Sequence, residues 1–182
     1  MSQNNTGDCI VAEHARAQPL RDAREPSYIG IDHVAIAVHD LEASIRLFRD
    51  VLGFELIRRL TVRSAQTGMI SAEMMHGGIK FVLCQGTEPQ SQVSQLVASF
   101  GPGVAHIALG VSDVAQARAM LADRGLTFDT SLSEGPGLTQ TFSSRDPNSG
   151  LSFEFIHRNG EEGFDPDNIQ QLFEQLEKAG KY

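Results

Sequence analysis

Two stretches decide how this chain is read: Ile31-Asp32-His33-Val34-Ala35-Ile36-Ala37-Val38 and Val104-Ala105-His106-Ile107-Ala108-Leu109-Gly110-Val111. Each is a strand by its β-branched content and its alternation. Each is followed by an aspartate placed to cap a helix, Asp40 in the first copy and Asp113 in the second. Apolar positions then recur at helical spacing. They are Leu41, Ile45, Phe48 and Leu52 in one copy, and Val114, Ala117 and Leu121 in the other, with stops at Gly53 and Gly125. His33 and His106 lie 73 residues apart, and Asp40 and Asp113 keep the same offset. Strand-like runs follow near 55–63, 69–75 and 79–84, and again near 126–131, 138–143 and 151–157. The order predicts an α+β fold of tandem βαβββ modules, about 29–85 and 102–158, forming a cupped mixed β-sheet. A helix over 91–100, with Val93, Leu96, Val97 and Phe100 on one face, joins them.

The flanks and the composition narrow the function. Residues 1–28 are polar, contain Pro19 and Pro26, and read as a flexible leader or a strap over a domain spanning 29–158. Residues 159–182 close the chain with a lid helix. Asp165 caps it, Pro166 opens it, and Ile169, Leu172, Phe173 and Leu176 make one apolar stripe. Phe164, just before this helix, is placed to reach into a cavity. With 23 acidic against 15 basic side chains the net charge is −8, which argues against nucleic acid, whose phosphates need clustered Lys and Arg. No apolar run approaches the roughly 20 residues that span a bilayer, and no secretory apolar segment opens the chain. Cys9 and Cys84 are too far apart to form a metal knuckle or a disulfide framework. The expectation is a soluble, cytoplasmic protein with no membrane and no nucleic-acid partner.

Alternation sorts the strand faces. His33 shares a face with Ala35 and Ala37, and His106 with Ala108 and Gly110. The opposite faces (Val34, Ile36 and Val38; Ile107, Leu109 and Val111) are greasy and belong under the helices. Each imidazole therefore sits beside small residues on the concave face, and symmetry brings the two towards one axis. On Leu151-Ser152-Phe153-Glu154-Phe155-Ile156-His157 a carboxylate lies between two phenylalanines, a costly position unless it is paired or metal-bound. Two imidazoles and one carboxylate facing a shared cavity make a facial triad that leaves metal positions open. His14, His39, His76 and His157 read as structural or solvated.

The tandem modules with His33, His106 and Glu154 resemble the vicinal oxygen chelate superfamily, over about residues 29–158. A closer resemblance is to the catalytic C-terminal half of the 4-hydroxyphenylpyruvate dioxygenases. It rests on Ser91-Gln92-Val93, on the run Gly101 to Leu109, on Leu138-Thr139-Gln140-Thr141-Phe142, and on Phe153 to Gly160 followed by Gly163-Phe164 and Asn168 with Leu172-Phe173. The resemblance implies His33, His106 and Glu154 as ligands of Fe(II), with Mn, Co, Ni or Zn as other divalent ions such a site takes. It implies Gln140 and Phe142 in the substrate pocket and Phe164 in the gating helix. Ala105 stands where that family carries glutamine before the second metal histidine, which argues against 4-hydroxyphenylpyruvate itself as substrate.

Relatives of the glyoxalase and epimerase type use a fourth protein ligand from the first module's last strand. The matching position here falls at Phe81 or Val82, with no carboxylate or amide. The expected activity is therefore a non-heme Fe(II) dioxygenase acting with O2 on a small chelating substrate, a 2-oxo acid, whose decarboxylation supplies electrons. The alternatives are a glyoxalase- or epimerase-type lyase or isomerase, an extradiol-type dioxygenase, a transferase of the fosfomycin-resistance type, and a metal-free small-molecule binding (resistance) protein. A homodimer is compatible with the resemblance.

Overall fold

β-Branched alternation builds one eight-stranded sheet. The computed structural model describes residues 25–64, 67–135, 137–160, 170 and 173–175. The first module holds β1 (Tyr28–Ala37), α1 (Leu41–Arg46), β2 (Glu55–Arg63), β3 (Gly68–His76) and β4 (Ile79–Gly86). After α2 (Gln92–Phe100) the second repeats the order with β5 (Gly103–Val111), α3 (Val114–Asp123), β6 (Ser133–Gly135), β7 (Leu138–Phe142) and β8 (Phe153–Arg158). The strand order β2-β3-β4-β1-β5-β8-β7-β6 is the same from either edge once the modules are exchanged. β1 and β5 pair antiparallel at the centre, and each pairs parallel with its own module's last strand, β4 or β8. The two first strands thus form the seam.

The helices begin where their caps direct. Asp40 accepts the Ala43 N–H and Asp113 the Gln116 N–H, both at 2.9 Å. Leu41 and Ile45 then bury against Ala72, Met74 and Leu83, with Ile36 and Val38 beside them. In the second module Val114 and Ala117 bury against Val111 and Phe155. Each fully buried aliphatic side chain contributes on the order of 1.5–3 kcal/mol. The greasy strand faces lie under the helices, as alternation requires. Past Arg46 the first helix widens into a π-helical turn over Leu47–Val51, and Gly53 (φ 77°) ends it.

Three local differences from the sequence reading have physical causes. The run at 126–131 is not a strand: only Phe128 bridges, to Ser143, and the paired segment comes later, at Ser133–Gly135. There the Thr130 hydroxyl accepts the Phe142 N–H at 2.8 Å, a side chain taking the place of a ladder carbonyl. Phe100, expected on the buried face of α2, is exposed, with the Arg145 guanidinium 6.0 Å from its ring. Finally, much of the room beside Ala35 and Ala37 is filled by Val93 and Leu96 of α2. That close approach needs Gly86, where a Cβ would run into the Ser91 and Ser94 hydroxyls.

Of the lid helix, Gln170 and residues 173–175 are described and are helical. Phe173 is buried in a cluster with Val62 from the first module and Ala108, Leu138 and Ile156 from the second. Gln170 donates to the Arg63 carbonyl at 2.7 Å, and Ser131 donates to Gln175 at 3.0 Å, so these residues bridge the modules. Phe164, the cap Asp165 and the leader at 1–24 lie outside the described residues. Among those described, no helix is long and apolar enough to cross a membrane.

Candidate metal centre

The pairing of β1 with β5 slips by one residue twice near the histidines. Ile31 pairs with Leu109 and His33 with Ala108, which leaves Asp32 as an extra residue on β1. Ala35 pairs with His106 and Ile36 with Val104, which leaves Ala105 as the extra residue on β5. A bulged residue therefore precedes each histidine, at equivalent places in the two modules. Bulges re-aim side chains that strict alternation would send elsewhere.

His33, on β1, is 2% exposed, and His106, on β5, presents its ring edge-on to Phe142 with centroids 4.9 Å apart. Glu154, on β8, is 1% exposed. The Nε2 atoms of His33 and His106 are 3.4 Å apart, and Glu154 Oε2 lies 3.3 Å from the first and 3.4 Å from the second. Three donors each about 2.0–2.2 Å from one ion have spacings of this size.

The proton positions follow from the neighbours. Asp32 accepts the His33 Nδ1–H at 2.8 Å, and Arg158 grips Asp32 with Nε at 2.6 Å and a second nitrogen at 2.8 Å. Burial alone would raise the Asp32 carboxyl; the hydrogen bonds from Arg158 and His33 override it and hold the group well below the usual carboxylate range. With Nδ1 donating, the neutral His33 ring has its lone pair on Nε2, facing the Glu154 carboxylate. That contact is repulsive unless a proton or a cation lies between them, and a divalent ion meets all three donors where a proton meets two. Burial also pushes the His106 imidazole down against the pull of Glu154, favouring the neutral form that binds metal. Glu154 Oε1 is buried with no hydrogen-bond partner among the described residues, an acceptor in want of a cation. The residues fit a divalent metal.

Register also decides the fourth position. Glu154 stands opposite Ala108, two residues past His106; Val82 stands opposite Ala35, two residues past His33. Val82, and not Phe81, is therefore the counterpart of Glu154, and it offers no donor. The triad opens on a cavity of about 90 Å³ reached by Val82, Gln140, Phe142 and Phe173. Gln140 is buried on β7 opposite Ile156, and Phe142 lies opposite Glu154. The other described histidines keep away: His157 bonds the Val111 carbonyl at 2.9 Å, His76 rests on the Phe54 ring, and His39 is exposed.

Sequence reasoning missed Asp32, because alternation places a residue beside His33 on the far face and only the bulge returns it. It missed Arg158, although Glu154, Ile156 and Arg158 share a face by the same alternation. It also passed over Glu73, which reaches the cavity.

Comparison with known proteins agrees with this architecture. The model of the Glyoxalase/Bleomycin resistance protein/Dioxygenase superfamily matches residues 30–155. A 4-hydroxyphenylpyruvate dioxygenase of Legionella pneumophila is 25% identical over 185 residues, covering 81% of this chain and 53% of the relative. The chain thus spans about half the length of the curated relatives it matches. A triple mutant of 4-hydroxymandelate synthase from Streptomyces coelicolor superposes with a TM-score of 0.74 at 24% identity, over 90% of this chain and 57% of that one. Methylmalonyl-CoA epimerase of Streptomyces coelicolor superposes at 0.63 with 28% identity, over 74% of this chain and 100% of that one. On the family match and the duplicated sheet together, the chain belongs to the glyoxalase/bleomycin resistance/dioxygenase superfamily, whose fold is the vicinal oxygen chelate fold.

Proposed function

We propose that this protein is a non-heme Fe(II)-dependent dioxygenase that oxidises a small metal-chelating substrate, a 2-oxo acid, with O2. The observation that carries the reading is a donor set of three, His33, His106 and Glu154, with Val82 where a fourth ligand would stand. Three protein donors leave room at an octahedral ion for a bidentate substrate and a further small molecule. Fe(II) held there supplies redox chemistry towards O2 and Lewis acidity towards chelating oxygens, and Mn, Co, Ni or Zn are the other ions the same donors accept.

The chain's own residues do the positioning. Asp32, clamped by Arg158, keeps the His33 proton on Nδ1 and so keeps Nε2 available. Phe142 sets the ring plane of His106 and, with Gln140, lines the space for the substrate. Phe173 closes the cavity against water, held through its carbonyl by the Gln92 side chain at 3.3 Å. The resemblance to 4-hydroxyphenylpyruvate dioxygenases supports this assignment.

The test is anaerobic reconstitution with Fe(II), followed by iron analysis and O2 uptake with a panel of 2-oxo acids and catechols. Wild type is expected to hold one iron and to consume O2 with a 2-oxo acid, and His33→Ala, His106→Ala and Glu154→Ala to lose the metal. A wild type that retains no more iron than the triple variant sinks the assignment. A second reading, a metal-dependent isomerase, is favoured by the likeness to methylmalonyl-CoA epimerase over that protein's whole length. It predicts exchange of the acidic α-proton of an acyl-CoA into deuterated water, with no O2 uptake.

A further inference from the structure

Each of the two register slips between β1 and β5 is held by an arginine of the second module. At the first, Arg158, the last residue of β8, grips the Asp32 side chain. At the second, Arg145, in the loop between β7 and β8, donates through Nη2 to the Ala105 carbonyl at 2.8 Å. A bulge takes its extra residue out of the ladder, so that residue's carbonyl is served by a donor from outside the pairing strands. Nη1 of the same side chain donates to the Gly150 carbonyl. A guanidinium is planar, and its terminal nitrogens keep one spacing. One rigid fork therefore joins the residue just before His106 to a residue four before Glu154.

The backbone passes this constraint on to the donors. The Ile107 N–H bonds the Ser152 carbonyl at 3.1 Å, and from there β5 and β8 run on in register, Ile107 opposite Phe153 and Ala108 opposite Glu154. Gly150 closes a loop bonded within itself. Its N–H donates to the Asp146 carbonyl at 2.8 Å, and the Asp146 carboxylate accepts the Ser149 N–H and hydroxyl at 2.7 and 2.6 Å. The Arg145 side chain leaves that loop and lies in the wall of the triad cavity. His106 and Glu154 are the two donors of the second module, with Nε2 and Oε2 3.4 Å apart, and donors to one ion tolerate little error in their spacing. We propose that Arg145 is a positioning residue for the metal centre, its fork fixing the spacing of His106 and Glu154 by tying the Ala105 carbonyl to that of Gly150. The inference rests on the triad being a metal site and is independent of the reaction run there.

The test compares wild type with Arg145→Lys, Arg145→Met and Ser149→Ala. Lysine keeps the charge and lacks the fork. Ser149→Ala removes the hydroxyl's two bonds in the same loop and leaves the fork in place. Each protein is titrated with Co(II) against a chromophoric chelator, and the visible d–d bands of the bound ion are recorded. Arg145→Lys and Arg145→Met are both expected to bind Co(II) about tenfold or more weakly, the lower end of the effect of losing an outer partner of a metal ligand, with shifted bands. Ser149→Ala, whatever its melting temperature, should keep the wild-type affinity and bands. Wild-type behaviour in Arg145→Met would make the fork dispensable, and in Arg145→Lys would make charge alone sufficient; either overturns the proposal. Equal weakening in Ser149→Ala overturns it too, since general loop order would then set the donors. Metal-free protein gives a separate readout: exchange of the Ile107 amide, followed by NMR, should quicken about tenfold in Arg145→Met, the scale of one lost charge-assisted tether. A wild type that binds no Co(II) removes the metal reading, whereas unaltered exchange at Ile107 removes this one.

Discussion

At His33 a single backbone irregularity governs the chemistry of a ring. The extra residue at Asp32 lets a carboxylate reach Nδ1, and Arg158 fixes that carboxylate with two hydrogen bonds. Removing such an outer partner typically lowers metal affinity by about 10–100-fold, so Asp32→Ala should do so while the protein still melts cooperatively. Competition against a chromophoric chelator measures the change, and an unaltered affinity would mean that packing alone holds His33. His33, His106 and Glu154 were legible because strands have a period of two, and the same period hid Asp32. Glu73 escaped notice for another reason: a charged side chain among alternating residues reads as solvated, and its burial depends on strands that approach only in the folded sheet.

Helix caps and stops are local chemistry, and the elements they bound were readable: Asp40, Asp113 and the turn glycines act within a few residues of themselves. The segment at 126–131 was not, because Thr130 and Asp129 spend their hydrogen bonds on Phe142, a partner distant in sequence. Phe100 was misplaced on α2 because a stripe of spacing tells which residues align and leaves open how far along the helix the neighbour extends. The terminal helical residues carry the clearest energetic consequence at this scale. Phe173 is 2% exposed and touches apolar residues of both modules. Phe173→Ala should cost about 3 kcal/mol, read from urea denaturation, and should admit water to the cavity. A loss below about 1 kcal/mol would show that the helix adds little to the domain.

Across the whole molecule the two modules are near-copies that differ at matched positions. Glu154 faces Val82 in the internal symmetry, so the second module supplies two donors and the first supplies one. Under the proposed dioxygenase function, restoring the match with Val82→Glu should tighten divalent metal binding and abolish O2 uptake, because the added carboxylate would take a position that function gives to the substrate. Titration of Zn(II) together with oxygen-electrode assays separates the two effects. Retained O2 uptake with tighter metal would mean that the position is not substrate's.

The paired bulges carry a consequence for how the pocket is shaped. Before His33 the extra residue is Asp32, committed to bracing the ring. Before His106 it is Ala105, whose methyl group faces the cavity and offers the imidazole no hydrogen bond, while its carbonyl accepts from Arg145 at 2.8 Å. One kink thus fixes how His33 presents Nε2, while the other sets a small side chain in the cavity wall, where a bulkier residue at position 105 would reshape the pocket and leave the Asp32–His33 brace untouched.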